Sequence, residues 1–350
     1  MRTITRLTVF AVLVILIAGT HSCQSPELTS AKVYLQQSNM PKAEEMLLKA
    51  RETEPNNAEV PFLLATQIYA PRRDWVAAKQ MLELAAQLNP AGYQTKAQNE
   101  INHMWGEVLN DGAALFNKAI GALFREDQDS LMRLATKRFE LAMVLNDNKP
   151  ETYDVLVKTY FKIGDTLRVI ETAEKALRKG LFDEDVVYFY GQMLFRSGQE
   201  DIALAKLAEI SQQHPDAIEL FKLQVQFLTE KDRYDDALAL MEKAIANNPK
   251  EIDLKFIIAQ IFVKLSRLED AQFYYQQVLA SNPDDTEVLT RIAEAFFISK
   301  EWIQAEEYAR HLIELVPEDS FGWDVLWKSV YNQGRLEEAE GLRQKALELR

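Results

Sequence analysis

Almost nothing in this 350-residue chain could make a cross-link, a phosphate cradle or a nucleophile–base pair. It has one cysteine, Cys23, so no internal disulfide framework is available to it. Its 12 glycines never cluster into a phosphate-cradling loop, and neither Gly-x-Ser-x-Gly nor His-Glu-x-x-His occurs. Of its four histidines, His214 precedes a proline and His311 lies in a helical stretch, neither near a cysteine or a second histidine. The best metal candidate is Glu100-x-x-His103 with Glu107 one turn on, but one such copy lacks the second ligand set of a dinuclear site. No catalytic constellation, metal site, cofactor or small-molecule substrate is therefore expected.

Basic residues are also outnumbered, 40 Lys and Arg against 53 Asp and Glu. The formal net charge is −13, and because Arg2 and Arg6 make the first 22 residues basic, the rest carries −15. Such a surface disfavours nucleic acid and anionic lipid as general partners, and it keeps a chain soluble. Long apolar runs are confined to one place, Leu7–Ala18, which follows the two arginines and precedes Gly19-Thr20-His21-Ser22-Cys23. A dozen apolar residues suit a signal sequence better than a membrane span.

What the chain does have is a period. Pro215, Pro249, Pro283 and Pro317 stand 34 residues apart, with Ala203, Ala237, Ala271 and Ala305 each 12 residues earlier. A fixed period of this length marks a stack of one supersecondary unit, which needs no single deep core and leaves few places for a closed active site. Apolar residues at i, i+3/4 and i+7 give each helix a buried stripe, and small residues let paired helices approach. Asn-Pro or His-Pro ends the second helix, because the residue before proline avoids helical torsions.

In this pattern the sequence resembles the tetratricopeptide repeat family. Tyr188, Tyr190, Gly191, Leu194, Gly198, Ala203, Leu207, Ile210 and Pro215 fit one unit. Lys255, Ile258, Ala259, Phe262, Ala271, Tyr275, Val278 and Pro283 fit another, and Leu289, Ile292, Ala293, Phe296, Trp302, Ala305, Leu312 and Pro317 a third. The resemblance implies an all-α, right-handed superhelical solenoid of antiparallel helix pairs, about nine repeats over nearly all of residues 24–350.

Regular repeats are expected over 24–90 and 150–350, the second with one extra residue at Pro71. An irregular unit over 91–149 departs from them, since Pro90 and Pro150 lie 60 residues apart. There the spacing predicts one elongated helix over about Gln94–Phe124, a loop at Arg125–Asp129 and a helix through Val144. This insertion either extends the stack or forms a docking feature. The polar last helix, with Glu337, Glu338, Glu340, Arg343 and Lys345, reads as a terminal cap.

The amino terminus is similar to a bacterial lipoprotein signal: charged start, apolar run, small Ser22 and then Cys23, with Thr20 and His21 departing from the usual pattern. That resemblance implies a signal peptide over 1–22 and a lipidated Cys23 holding the chain to a bilayer. Gln24 after the cysteine points to the outer membrane, facing the periplasm. Secretion with an incidental free thiol, an inner-membrane anchor and an uncleaved anchor are the alternatives.

Family positions lining the groove of the first helices map here to Lys158, Phe161, Tyr188, Gln192, Phe195, Gln226, Phe256, Gln260, Phe297, Lys328 and Tyr331. Gln192, Gln226 and Gln260 fall 34 apart and could form an amide ladder along an extended backbone, while the phenylalanines could anchor apolar side chains. The alternative has the polar positions solvated and the aromatics tucked inside the repeats. The Lys and Asn pairing of carboxylate-clamp members is absent, so capture of a free carboxyl terminus is not expected. The function implied is a non-enzymatic scaffold binding a protein partner, in assembly of envelope or secretion machinery. A second reading is self-association through the long third-unit helix or apolar convex patches.

Overall fold

The structure, a computed structural model, describes residues 24–349. The expected signal sequence and Cys23 lie outside the described residues. Those residues form 18 helices and no strand. In chain order they are α1 (Pro26–Gln36) and α2 (Met40–Thr53), α3 (Glu59–Leu63) and α4 (Trp75–Leu88), α5 (Pro90–Ile120) and α6 (Arg125–Leu145), and α7 (Pro150–Ile163) and α8 (Thr166–Arg178). There follow α9 (Glu184–Arg196) and α10 (Glu200–Gln213), α11 (Ile218–Glu230) and α12 (Tyr234–Asn247), and α13 (Ile252–Lys264) and α14 (Leu268–Leu279). The last are α15 (Thr286–Ile298) and α16 (Trp302–Leu315), and α17 (Ser320–Asn332) and α18 (Leu336–Glu348).

Proline and short polar side chains set the boundaries. Ser25, Asn39, Asp74, Asn89, Asp183, Asp285 and Asp319 each cap a helix start by accepting a hydrogen bond from a first-turn N–H. At the other end, α10, α12 and α16 stop two residues before Pro215, Pro249 and Pro317, as the repeat spacing predicts, and α14 stops four residues before Pro283.

Between the helices of each of the six pairs from α7–α8 onward the chain reverses through one left-handed residue. It is glycine at Gly164, Gly198 and Gly334, with φ of 76°, 79° and 81°, but Asp232, Ser266 and Lys300 hold the same conformation at φ 55°, 59° and 63°. These six positions are 34 apart. In each turn the following N–H closes onto the carbonyl five residues back, as in Arg233 to Leu228 (2.8 Å) and Glu301 to Phe296 (2.9 Å). This Schellman closure satisfies carbonyls that a helix end leaves open.

The chain divides into two compact units, one comprising residues to Asp165 with Lys175–Leu181, the other Thr166–Glu174 with Phe182 onward. In the first unit, Leu28, Leu47, Val60, Leu64 and Ile68 form a core under α1–α3, and Trp75, Leu82, Met104, Val108 and Leu145 form another around α4–α6. In the second, one continuous core runs from Phe221 through Met241, Ile258, Tyr275, Ile292 and Leu312 to Ala339.

Both irregularities of period lie in the first unit. The extra residue of the second repeat is taken up in a π-helical turn, Leu64–Tyr69, which continues α3 and is closed by Ala70 N–H donating to Ala65 O at 2.9 Å. A π-turn absorbs one inserted residue without rotating the rest of a helix off its partner. The 26 extra residues of the third repeat lengthen both α5 and α6, which pack along each other as a hairpin. Gly112 of α5 seats directly on the Phe139 ring of α6, and Phe116 meets the same ring at 6.5 Å.

The predicted helix end and loop need correction here. α5 stops at Ile120, the connection is Gly121–Phe124, and Arg125–Asp129 belongs to the first turn of α6. Apolar spacing carries past Ile120 to Leu123 and Phe124, but Gly121 ends the helix. Glu126 and Asp127 suit the positive end of the next helix dipole rather than a loop.

Candidate partner-binding groove

In the second unit, the first helices of three successive pairs, α11, α13 and α15, border an open groove of about 680 Å³. This volume lies within the range of ligand-sized clefts. Its apolar surface comes from Val225, Ile257, Ile261, Val263, Ala295 and Ile298, the last 70% exposed. Ile257, Ile261 and Lys264 share a side of α13 because they lie three and four residues apart.

Polar groups ring the groove. Lys222 bridges Glu219 and Asp253, at 2.9 Å to each. Burial works to lower the Lys222 pKa, but the hydrogen bonds to Glu219 and Asp253 outweigh it and hold it above the ordinary lysine value. Gln226 donates its amide to Glu230 at 2.8 Å, and Arg291 lies 3.6 Å from Glu294. Lys264 is exposed and makes no ion pair among the described residues.

Gln226 and Gln260, from the predicted set, line this groove together. The third member of the amide ladder does not join them. Gln192 is only 7% exposed and turns back along α9, its amide 3.4 Å from the Tyr188 hydroxyl. The difference comes from the neighbour one turn earlier: Tyr188 offers a hydroxyl, where Lys222 and Phe256 hold the corresponding places before Gln226 and Gln260.

The predicted phenylalanine anchors are likewise absent from the groove lining. Phe195 stacks on Phe227 with centroids 4.0 Å apart, Phe256 tilts against Tyr275 at 5.8 Å, and Phe297 meets Trp302 edge-on at 5.5 Å. Each ring is half-buried, because apolar area is better covered between helices than left on a wet face. The aliphatic side chains Ile257 and Ile298 supply the apolar contact surface, and the helix spacing did not distinguish them from core.

The remaining predicted residues are dispersed. Tyr188 is half-buried and crosses Phe189 edge-on. Lys158 pairs with Asp154 at 2.7 Å, and Phe161 is half-buried, both in the first unit. Lys328 and Tyr331 line a separate cleft of about 530 Å³ with Trp327, Leu336 and Arg343. His103 lies 4.0 Å from Glu107 with both side chains exposed, and among the described residues no three potential metal ligands converge.

Comparison with known proteins bears on the fold. Residues 228–290, which include the end of α11, all of α12, α13 and α14 and the start of α15, match the tetratricopeptide repeat family. The C-terminal part of a repeat-containing protein from Cytophaga hutchinsonii superposes with a TM-score of 0.54 at 16% identity, covering 69% of this chain and 95% of that one. Yeast Tom70 matches over 93% of this chain and 84% of its own at 13% identity and a TM-score of 0.43. MamA from Desulfovibrio magneticus RS-1 matches over 47% and 94%, respectively, at 17% identity and a TM-score of 0.40. No curated protein matches the sequence. Residues 228–290 carry tetratricopeptide repeats, and the paired helices on either side of them keep the same 34-residue period.

Proposed function

We propose that this protein is a non-enzymatic scaffold that binds a segment of a protein partner in the α11–α13–α15 groove. Cys23, lipidated, holds it at an envelope membrane, facing the periplasm from the outer membrane. The observation that carries the binding role is the groove itself: aliphatic floor, amide and charged rim, and two repeat-related glutamines side by side. Side-chain amides donate and accept, so Gln226 and Gln260 can pair with the backbone of a bound segment while the isoleucines take its apolar side chains. Assembly of envelope or secretion machinery is the setting in which a membrane-held scaffold of this kind would serve.

Support for a close anchor comes from the residues next to Cys23. The Ser25 N–H donates to Glu54, and the Gln24 amide donates to Glu59 at 3.2 Å, so the chain is tied to the first helix pairs one residue after the cysteine. Among the described residues no helix is long and apolar enough to cross a membrane. Acyl chains contribute about 0.8 kcal/mol per buried methylene, so more than one would anchor the protein firmly.

Two measurements test this reading. A photocrosslinking residue at Gln226 or Gln260 should capture protein in cells, while one at exposed Gln212 should not; equal capture from all three would remove the groove role. Mass spectrometry of the membrane fraction should find acylated Cys23, and an unmodified thiol on soluble chain would remove the anchor.

A further inference from the structure

The loop joining α5 to α6 ends the long hairpin in an apolar knob. Leu123 is 94% and Phe124 70% exposed, with Ile120 beside them more than half exposed. Large apolar side chains clustered on a solvent-facing tip mark a contact surface. Arg125 follows them, and then Glu126, Asp127 and Asp129, all four exposed and none with an ion pair among the described residues, so the tip is net acidic. The groove of the second unit is concave and aliphatic around Ile257 and Ile298, its charged lining is Lys222, Lys264 and Arg291 against Glu230 and Glu294, and Lys264 makes no ion pair among the described residues. A convex apolar tip with more acids than cations thus complements a concave apolar groove with more cations than acids.

We propose that the α5–α6 tip of one copy docks into the α11–α13–α15 groove of a second copy. Leu123 and Phe124 fill the aliphatic floor, and Glu126 or Asp127 meets Lys264. The inference rests on the groove being a binding surface, and it commits that surface to a second copy of this chain. The two surfaces differ, so the contact is head-to-tail and a docked pair still offers one free groove and one free tip. Repetition of the contact yields a ring or a filament along the membrane. Charge complementarity sets the register, since a tip with acids on one side accepts one orientation over the lysine.

Cysteine scarcity makes the contact testable in the full chain in its own membranes. Leu123→Cys in one tagged copy and Ile298→Cys in a second, co-expressed and gently oxidised, should give a disulfide-linked heterodimer. Neither variant alone should give it, and those single-variant controls also report any link through Cys23. Both substitutions in one chain should give a ladder of multimers. Adding Lys264→Glu should lower the heterodimer yield at least about tenfold, as for loss of a buried-edge charge pair. Glu126→Lys with Asp127→Lys in the tip copy should restore it. All of these positions are exposed, so the fold should survive each change. No heterodimer, or only an intramolecular 123–298 bond in the double variant, would overturn the proposal. So would a Leu123→Cys copy that links mainly to another Leu123→Cys copy. If photocrosslinks from Gln260 capture a different protein while the disulfide fails, the groove role stands and this pairing falls. If Gln260 captures nothing, both fall.

Discussion

The two units stack helix pairs by the same rules but tolerate change of period in opposite ways. From Phe182 onward every pair keeps the 34-residue spacing, and one core runs unbroken from Phe221 to Ala339. The earlier residues contain a one-residue insertion, taken up by the π-turn Leu64–Tyr69, and a 26-residue insertion, taken up by lengthening two helices together. Insertions are therefore absorbed where a helix can bulge or where both members of a pair grow in step. In the regular unit, each buried stripe is clamped by a pair on either side. There a change of one residue has nowhere to go.

Deleting one residue is the strongest way to break this contrast. Loss of Ala239 from α12 would rotate Met241 and Ala244, both fully buried, by about 100° relative to the preceding turns. Exposing or misplacing that stripe should cost about 3 kcal/mol or more, or abolish cooperative melting. Loss of exposed Gln67 should instead convert the π-turn to ordinary α-helix and change stability by about 1 kcal/mol or less. Thermal melts followed by circular dichroism compare the two directly. Equal losses would mean that the π-turn is no reservoir for the insertion.

A second test asks whether the long hairpin is packed as tightly as a regular pair. A methyl group on Gly112 would lie 2.5 Å from the Phe139 ring, which is itself buried and cannot yield. Gly112→Val should cost about 3 kcal/mol through overpacking. Phe139→Leu in the same chain should recover part of it, a coupling that denaturant titration of the four-member cycle would read. Additive effects would show that α5 and α6 adjust independently.

The comparison also shows what the sequence carried. Period, helix ends at proline and small residues at helix crossings were readable because each is imposed by backbone geometry, which repeats. The direction of a side chain on a first helix was not. Gln192, Gln226 and Gln260 are one residue type at one repeat position, yet Gln192 is buried, with its amide toward the Tyr188 hydroxyl one turn before it. Phe256 and Phe297 are equally ambiguous from spacing, since a large ring at the edge of a buried stripe can turn either way. The tip at Leu123 and Phe124 read as more helix because apolar spacing continued through Gly121.

At the far end of the regular unit, the last pairs are joined by charge as well as by the apolar core. Glu306 of α16, 9% exposed, accepts from Arg310 at 2.8 Å, Gln333 at 2.8 Å and Arg335 at 2.7 Å, and both arginines also reach Glu338. Burial alone would raise the Glu306 pKa, but the hydrogen bonds from Arg310, Gln333 and Arg335 outweigh it and hold it below the ordinary carboxylate range. A depressed folded-state pKa stabilises above the unfolded value and loses that contribution as pH falls through the folded one. Glu306→Gln should therefore cost about 1–2 kcal/mol at neutral pH and much less in acid. Melts from pH 7 to pH 3 in both proteins would show the gap closing; a constant gap would place the effect in packing.

The smallest effect concerns the reversal within each pair, where the regular unit is uneven in sequence but uniform in conformation. Gly198 and Gly334 adopt the left-handed turn without a β-carbon, while Asp232, Ser266 and Lys300 adopt it with one. A β-carbon in that region costs about 1 kcal/mol, so Gly198→Ala should lose about that much. Lys300→Gly relieves the same strain but frees the unfolded chain, and these oppose each other. A net gain of only a few tenths of a kcal/mol is expected. If Lys300→Gly instead lost as much as Gly198→Ala, the lysine would be contributing contacts of its own, and the turns would not be equivalent despite sharing their torsions and their 34-residue spacing.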